Sequence, residues 1–255
     1  MFTDVHCHLN DERFTDLDGV VNGFRAEKVN VIINAGYDLQ SSLKGSKIAE
    51  KYAEVFFTSG AHPDAEKEVD DVFLEKIKTL SEHVKCVGIG EIGLDYHYEG
   101  FDKEGQKRAF VKQLELADFL SLPVVIHTRD ATEDTVNVLK ENKRLLKNGG
   151  VMHCFSGSKE TAREYLDLGM YISFGGTVTF NNAKNVKEAA LFVPSDMMLT
   201  ETDSPYLSPA PFRGEVNEPK RVRIITEYLS GLKKEDLTEF ALKIAKNSKR
   251  VFKKL

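Results

Sequence analysis

His6 and His8 stand two residues apart in the opening run M-F-T-D-V-H-C-H-L. That run is apolar and β-branched, so it reads as a strand. Side chains two apart on a strand share a face. Asp4, His6 and His8 are therefore expected on one side, and Val5 and Cys7 on the other. Two imidazoles side by side at a strand end make half of a metal site.

The missing ligands stand at the ends of other apolar runs. His62 closes S-G-A-H-P, and Glu91 lies within G-I-G-E-I-G-L-D-Y-H. His127 and Arg129 close V-V-I-H-T-R-D, His153 lies in V-M-H-C-F-S-G-S, and Asp203 in L-T-E-T-D-S-P. Five of the seven histidines fall at such ends, where a random scatter would leave most on helices. The set suits two divalent ions. His6 and His8 hold one, His127 and His153 the other. Glu91 has two oxygens and bridges the pairs, and Asp203 completes the first site. Two ions roughly 3.5–4 Å apart can clamp the attacking and leaving oxygens of an in-line phosphoryl displacement, and they make water acidic enough to attack near neutral pH. Asp203 is then the best placed general base. Four imidazoles favour zinc, manganese or iron, while the carboxylates also suit magnesium.

Strand-like and helix-like runs alternate along the chain. The strands are expected at Phe2–His6, Val29–Asn34, Val55–Gly60, Val84–Ile89, Val124–His127, Val151–Cys154, Met170–Phe174 and Met197–Thr200. Helical runs follow them at 17–27, 40–52, 72–82, 103–120, 131–146, 159–168, 183–192 and 218–229, with one more at 234–252. In 103–120, for example, Phe110, Leu114 and Ala117 recur at helical spacing. Such alternation implies parallel strands with helical crossovers. Eight units in 255 residues match an α/β fold of the (β/α)8 TIM-barrel type, one domain over 1–255 with an extra C-terminal helix. An open dinucleotide-binding sheet is the alternative, but no G-x-G-x-x-G follows the first strand. In a barrel the polar strand ends gather at one mouth.

The hydrophobic fraction of 41% excludes disorder. No apolar run is long enough to span a membrane. No basic region precedes an apolar one at the start, so no secretory signal is expected. Cys7, Cys86 and Cys154 fit reduced thiols, and the cytoplasm is the expected location. The net charge of −5 does not advertise nucleic-acid binding. From Lys220 to Leu255, however, eleven Lys or Arg face four Asp or Glu. Such a basic segment is either a phosphate-binding face or a solvated helix surface.

The motifs together resemble the TatD family of metal-dependent hydrolases, within the amidohydrolase-like barrels. They are D-V-H-C-H-L at 4–9, G-A-H-P at 60–63, G-E-I-G-L-D-Y at 90–96, P-V-V-I-H-T-R-D-A at 123–131, H-C-F-S-G at 153–157, E-T-D-S-P-Y-L at 201–207 and R-G-E-V-N-E-P at 213–219. The resemblance implies a two-metal deoxyribonuclease, often a 3′→5′ exonuclease, acting on single-stranded DNA or a 3′ end. It implies metal ligands His6, His8, Glu91, His127, His153 and Asp203, the set reached from the strand ends. Many relatives in the wider group bridge their metals with a carboxylated lysine; here Glu91 stands at that place. A different substrate class would keep this site: a carboxylic ester or amide, including aminoacyl-tRNA.

Around the ligands, Asp4 either orients the His6 imidazole or makes an ordinary buried hydrogen bond. His62, Arg129 and Arg213 are the substrate-binding candidates, with Asn217 beside Arg213; His62 has a second option, capping its own loop before Pro63. Arg129 has a second option, an ion pair with Glu201. Ser156-Gly157-Ser158 either holds a phosphate or caps a helix. Tyr96 and His97 either stack on a terminal base or pack the rim. The proline-rich loop Ser204 to Pro219 is expected to close over the site.

Overall fold

A computed structural model describes residues 1–255. Eight strands form one parallel sheet in sequential order: β1 (Phe2–Cys7), β2 (Val29–Ala35), β3 (Val55–Ser59), β4 (Cys86–Asp95), β5 (Val124–Arg129), β6 (Gly150–Met152), β7 (Tyr171–Phe174) and β8 (Met198–Thr200). The helices between and after them are α1 (Leu17–Ala26), α2 (Leu39–Lys51), α3 (Asp71–Ser81), α4 (Lys103–Leu120), α5 (Thr132–Glu141), α6 (Lys159–Asp167), α7 (Lys184–Phe192), α8 (Val222–Lys233) and α9 (Leu237–Val251). This is the expected (β/α)8 barrel with an additional C-terminal helix. Several helices start where an Asp or Ser side chain accepts a free backbone N–H of the first turn, as Asp38, Asp70, Asp102 and Ser158 do. Ser158 thus caps α6.

Val5, Ile33, Val87, Val125, Val151 and Leu199, one from each of six strands, meet in a single apolar cluster that fills the barrel. Val251 and Phe252, at the end of α9, join it and plug one mouth. Phe252 is fully buried, and burial of such a side chain stabilises by roughly 2–3 kcal/mol. The plug sends the basic last turn of α9, Lys249 and Arg250, to the end opposite the histidines. The solvated-surface reading of the basic segment follows. His127 and His153 each lie one pleat beyond an inner valine, so they point inward at the open mouth.

Two sequence expectations change here. Val5 and Cys7 do not share a face. Val5 packs inside the barrel, whereas Cys7 belongs to the outer layer with Val21 and Phe24 of α1. The β1–β2 register shifts between Asp4 and Cys7, and a one-residue irregularity reverses the side chains beyond it. Likewise the fourth strand does not stop at Ile89. It continues to Asp95, with a register shift against β5 between Ile89 and Ile92. Glu91 therefore sits within the strand.

The close fit of β4 on β5 depends on Gly93. Its φ is +141°, and a Cβ there would stand 2.0 Å from the His127 carbonyl oxygen. That atom is backbone and cannot step aside. Gly93→Ala is expected to lower stability by about 2–4 kcal/mol, which for a chain of this length moves the melting temperature by roughly 5–15 °C. Urea unfolding monitored by circular dichroism measures it; an unchanged midpoint would refute this account of the β4–β5 contact.

The seam between β8 and β1 is closed at the histidine end by residues just past the strands. Asp203 N–H donates to His6 O (2.9 Å), and His8 N–H to Ser204 O (2.7 Å). These bonds deliver Asp203 to the two β1 histidines. No helix is long and apolar enough to cross a membrane.

Candidate metal centre

Four other chain segments converge around Glu91. Its Oε1 lies 2.8 Å from His127 Nδ1 and 2.9 Å from His153 Nε2. Its Oε2 faces His6 Nε2 at 3.4 Å and His8 Nε2 at 3.7 Å. Asp203 Oδ1 stands 3.3 Å from His8 Nε2 and 3.8 Å from His6 Nε2. The six expected ligands are thus together, divided as His6, His8 and Asp203 on one side and His127 and His153 on the other. Glu91 stands between them with one oxygen turned to each pair.

These donors fit divalent ions. Ligands about 2.0–2.2 Å from a tetrahedral ion stand roughly 3.4 Å apart, close to the separations among His6, His8, Asp203 and Glu91 Oε2. His6 Nε2 is buried without a hydrogen-bond partner although it points at two carboxylates. A buried nitrogen so placed lacks only a cation. Two clusters, His6–His8–Asp203 and Glu91–His127–His153, each bring three ligand atoms within 4.8 Å of one another. They form two distinct sites for divalent metal ions.

The electrostatics agree. Burial alone would raise the Glu91 pKa, but the charge of His153 and hydrogen bonds from His127 and His153 hold it well below the usual carboxylate range. Burial opposes ionisation of Asp203 too, and the hydrogen bond from His8 overcomes it. Both carboxylates are thereby kept negative at the bottom of a cleft. Burial lowers His6, which favours the neutral ring that a metal requires, whereas at His8, His127 and His153 burial is outweighed by the neighbouring carboxylates, which raise them in the absence of an ion.

The supporting contacts sort the remaining candidates. Asp4 does not orient the His6 ring. Its carboxylate accepts the backbone N–H of His6 (3.3 Å), the Thr202 N–H (2.9 Å) and the Thr202 hydroxyl (2.5 Å). It ties β1 to the end of β8, and burial pushes its pKa well up despite those bonds. Arg129 does not pair with Glu201. It lies exposed at the rim over the Tyr98 ring, 5.3 Å from its centroid. Glu201 is fully buried, and its Oε1 accepts Cys154 N–H (2.5 Å). Asn217 is buried as well and clamps its own loop, donating to Thr202 O (2.9 Å) and Tyr206 O (2.8 Å). Arg213 is exposed over Phe180. Tyr96 packs the rim, stacked on Phe101, with its hydroxyl on Asp134. His97 binds Asp130 (2.8 Å). Tyr206, from the proline-rich loop, sets its ring 5.9 Å from that of His8, and Tyr37 lies 5.7 Å from the same ring.

His62 stands beside His127, ring centroids 4.4 Å apart, with Nε2 3.8 Å from Glu91 Oε1. The Asp64 backbone N–H donates to its Nδ1 (3.2 Å). Nε2 is then the protonated nitrogen, and its N–H faces the cleft.

Two buried glutamines escaped the sequence reading. Gln106 and Gln113 are two turns apart on one face of α4. Gln113 holds the backbone of Ala61, beside His62, accepting its N–H (2.7 Å) and donating to its carbonyl (3.1 Å). Gln106 grips Asp95 in the same way (2.9 and 2.8 Å). The signal was present: polar residues seven apart on the same helix face as Phe110 and Leu114.

A sequence profile described as TatD related DNase matches residues 3–253. The chain is 44% identical over 254 residues to the uncharacterised metal-dependent hydrolase YabD of Bacillus subtilis, covering 99% of each. It is 39% identical to YcfH of Escherichia coli K12, also named an uncharacterised metal-dependent hydrolase, covering 98% of this chain and 94% of that protein. Among solved structures, YjjV, a TatD homologue from Escherichia coli K12, superimposes with a TM-score of 0.93 at 30% identity, covering 99% of this chain and 98% of that one. A TatD family hydrolase from Entamoeba histolytica gives 0.86 at 26% identity, covering 100% of this chain and 98% of that one. With the profile spanning nearly every residue and the metal-ligand clusters assembled at the barrel mouth, this chain belongs to the TatD family of metal-dependent hydrolases.

Proposed function

We propose that the protein hydrolyses phosphodiester bonds of DNA, removing nucleotides from the 3′ end of a single strand. The observation that carries the reading is Glu91, whose two oxygens address two separate pairs of histidines. His6, His8 and Asp203 would hold one divalent ion, His127 and His153 the other, with Glu91 shared. Bound there, the ions would polarise the phosphoryl oxygen and make the attacking water acidic. Magnesium, manganese and zinc are all compatible with this donor set.

The chain's own groups supply the rest. Asp203 is ionised and lies at the mouth, so its carboxylate takes the proton from the attacking water. His62 presents Nε2–H towards Glu91, where it donates a hydrogen bond to a phosphoryl oxygen. Arg129 and Arg213 have no carboxylate partner and stand on the rim. They hold the phosphates next to the scissile bond, Arg129 on the β5 side and Arg213 on the loop after β8. An exonuclease needs to grip only a few nucleotides, so an acidic chain with a local cationic rim suffices.

Single-stranded DNA labelled at its 5′ end, incubated with the protein and magnesium or manganese, is expected to shorten stepwise from the other end. Arg129→Ala is expected to raise KM about 5-fold at low salt, the equivalent of about 1 kcal/mol for an exposed charged contact, and the difference is expected to shrink as salt is added. DNA left intact by ion-loaded protein that cleaves a carboxylic ester, an amide or an aminoacyl-tRNA would replace this reading with acyl hydrolysis at the same centre.

A further inference from the structure

His127 and His153 both face Glu91 Oε1, yet they do so with different ring atoms. His127 turns Nδ1 inward and Nε2 away; His153 turns Nε2 inward and Nδ1 away. A neutral imidazole offers an ion one nitrogen, and a hydrogen bond at the other nitrogen decides which. A buried carboxylate stands behind each ring. Asp95 Oδ2 lies 3.0 Å from His127 Nε2, and Glu201 Oε1 lies 3.4 Å from His153 Nδ1. We propose that Asp95 and Glu201 are positioning residues of the centre, each holding the outer nitrogen of one histidine so that the inner one meets the ion. The proposal rests on the two-ion centre put forward above and is independent of which bond that centre hydrolyses.

Both carboxylates are built in rather than incidental. Asp95 is 3% exposed, and its other oxygen accepts the His97 N–H (2.9 Å). Gln106 clasps its backbone N–H and carbonyl together. A carboxylate held at both ends can aim a ring; a free one would swing. Glu201 has no exposure at all, and its Oε2 has no partner. Its ligand atom lies within 4.8 Å of those of His6 and His153, whose rings stack at 4.0 Å. Glu201 therefore contacts His153 and lies close to His6, one histidine from each pair. A buried carboxyl oxygen left without a protein partner costs stability unless it serves the neighbouring rings.

A rival reading makes Asp95 a ligand of a third ion, because His62, Asp95 and His127 also bring three ligand atoms within 4.8 Å. The hydrogen bonds argue against it. Asp64 N–H occupies the lone pair of His62 Nδ1, so His62 Nε2 carries the ring proton and has no lone pair to give. His127 would have to bind ions through both nitrogens at once.

The test is calorimetric titration of metal-stripped protein with zinc or manganese, together with 15N spectra of the histidine rings. Wild type is expected to bind two ions, with His127 protonated at Nε2 and not at Nδ1 once they are bound. Asp95→Ala is expected to keep two sites but weaken one by about 10–100-fold, the range typical of such outer partners. Asp95→Asn is expected to recover much of that loss, since its side-chain oxygen still accepts the Nε2–H. Glu201→Gln is expected to weaken binding as well. Unchanged affinities in a folded Asp95→Ala would overturn the proposal, and so would three ions in wild type falling to two in the variant. An ion-loaded wild type with His127 protonated at Nδ1 overturns it whether or not any variant folds. Weakened ion binding in Asp95→Ala, alongside a wild type that cuts no phosphodiester, would uphold this inference while removing the DNA reading.

Discussion

Replacing Glu91 with Gln is expected to reduce hydrolysis by on the order of 1,000-fold, beyond the 10–100-fold that outer partners of a metal centre carry. Glu91 is the one side chain addressed from both sides, by His127 and His153 at Oε1 and by His6 and His8 at Oε2. An amide keeps the shape but loses the charge and turns a donor towards one pair of imidazoles. Both ion positions suffer together, so titration of stripped Glu91→Gln is expected to show weaker binding at each site. Asp203→Asn behaves differently. Asp203 meets only His6 and His8, so the ion held by His127 and His153 is retained while the rate collapses. A Glu91→Gln protein that keeps one ion at wild-type affinity would show that the carboxylate belongs to a single site and does not bridge.

Stripping and reloading the metals is expected to move stability as strongly as activity. The centre holds four imidazoles and three buried carboxylates, Glu91, Glu201 and Asp203, within one small volume. An ion present at 100 times its dissociation constant stabilises the folded chain by about 2.7 kcal/mol, because the unfolded chain has no such site. Two ions give roughly twice that. For a chain of this length the melting temperature then rises on the order of 10–20 °C. Differential scanning calorimetry of stripped protein, repeated with magnesium, manganese and zinc in turn, measures it. Hydrolysis is expected to return with the ion that produces the shift. A melting temperature indifferent to all three would mean that the histidines and carboxylates satisfy one another without metal.

The architecture and the six ligands were both legible in the chain, and for the same reason. Parallel strands buried on both faces must be apolar, so a histidine or carboxylate interrupting the end of such a run stands out. V-V-I-H and V-M-H announce their ends this way without any knowledge of their neighbours. The alternation of eight such runs with helical ones admits few closed arrangements, and closure places all the ends at one mouth. The support around the ligands was less legible. Asp4 and Glu201 stand out in the chain, but their partners do not: Asp4 binds backbone and Thr202 rather than a ring, and Glu201 faces Cys154 N–H and His153 rather than Arg129. Asp95, Gln106 and Gln113 are least legible, because a polar residue inside an apolar pattern does not say which strand it will meet.

By itself, the sequence determined the barrel, its open mouth and the residue types gathered there, since these follow from local periodicity and from the cost of burying unpaired charge. Only the tertiary structure decided which way each group points. The irregularity in β1 sends Val5 inward and Cys7 outward. The extension of β4 carries Glu91 between the two histidine pairs, and the outer contacts turn His127 and His153 by different nitrogens. Strand register, ring rotation and hydrogen-bond partners join residues as distant as Asp4 and Thr202. They are settled by the packing of the whole barrel, and no window of the sequence contains both partners.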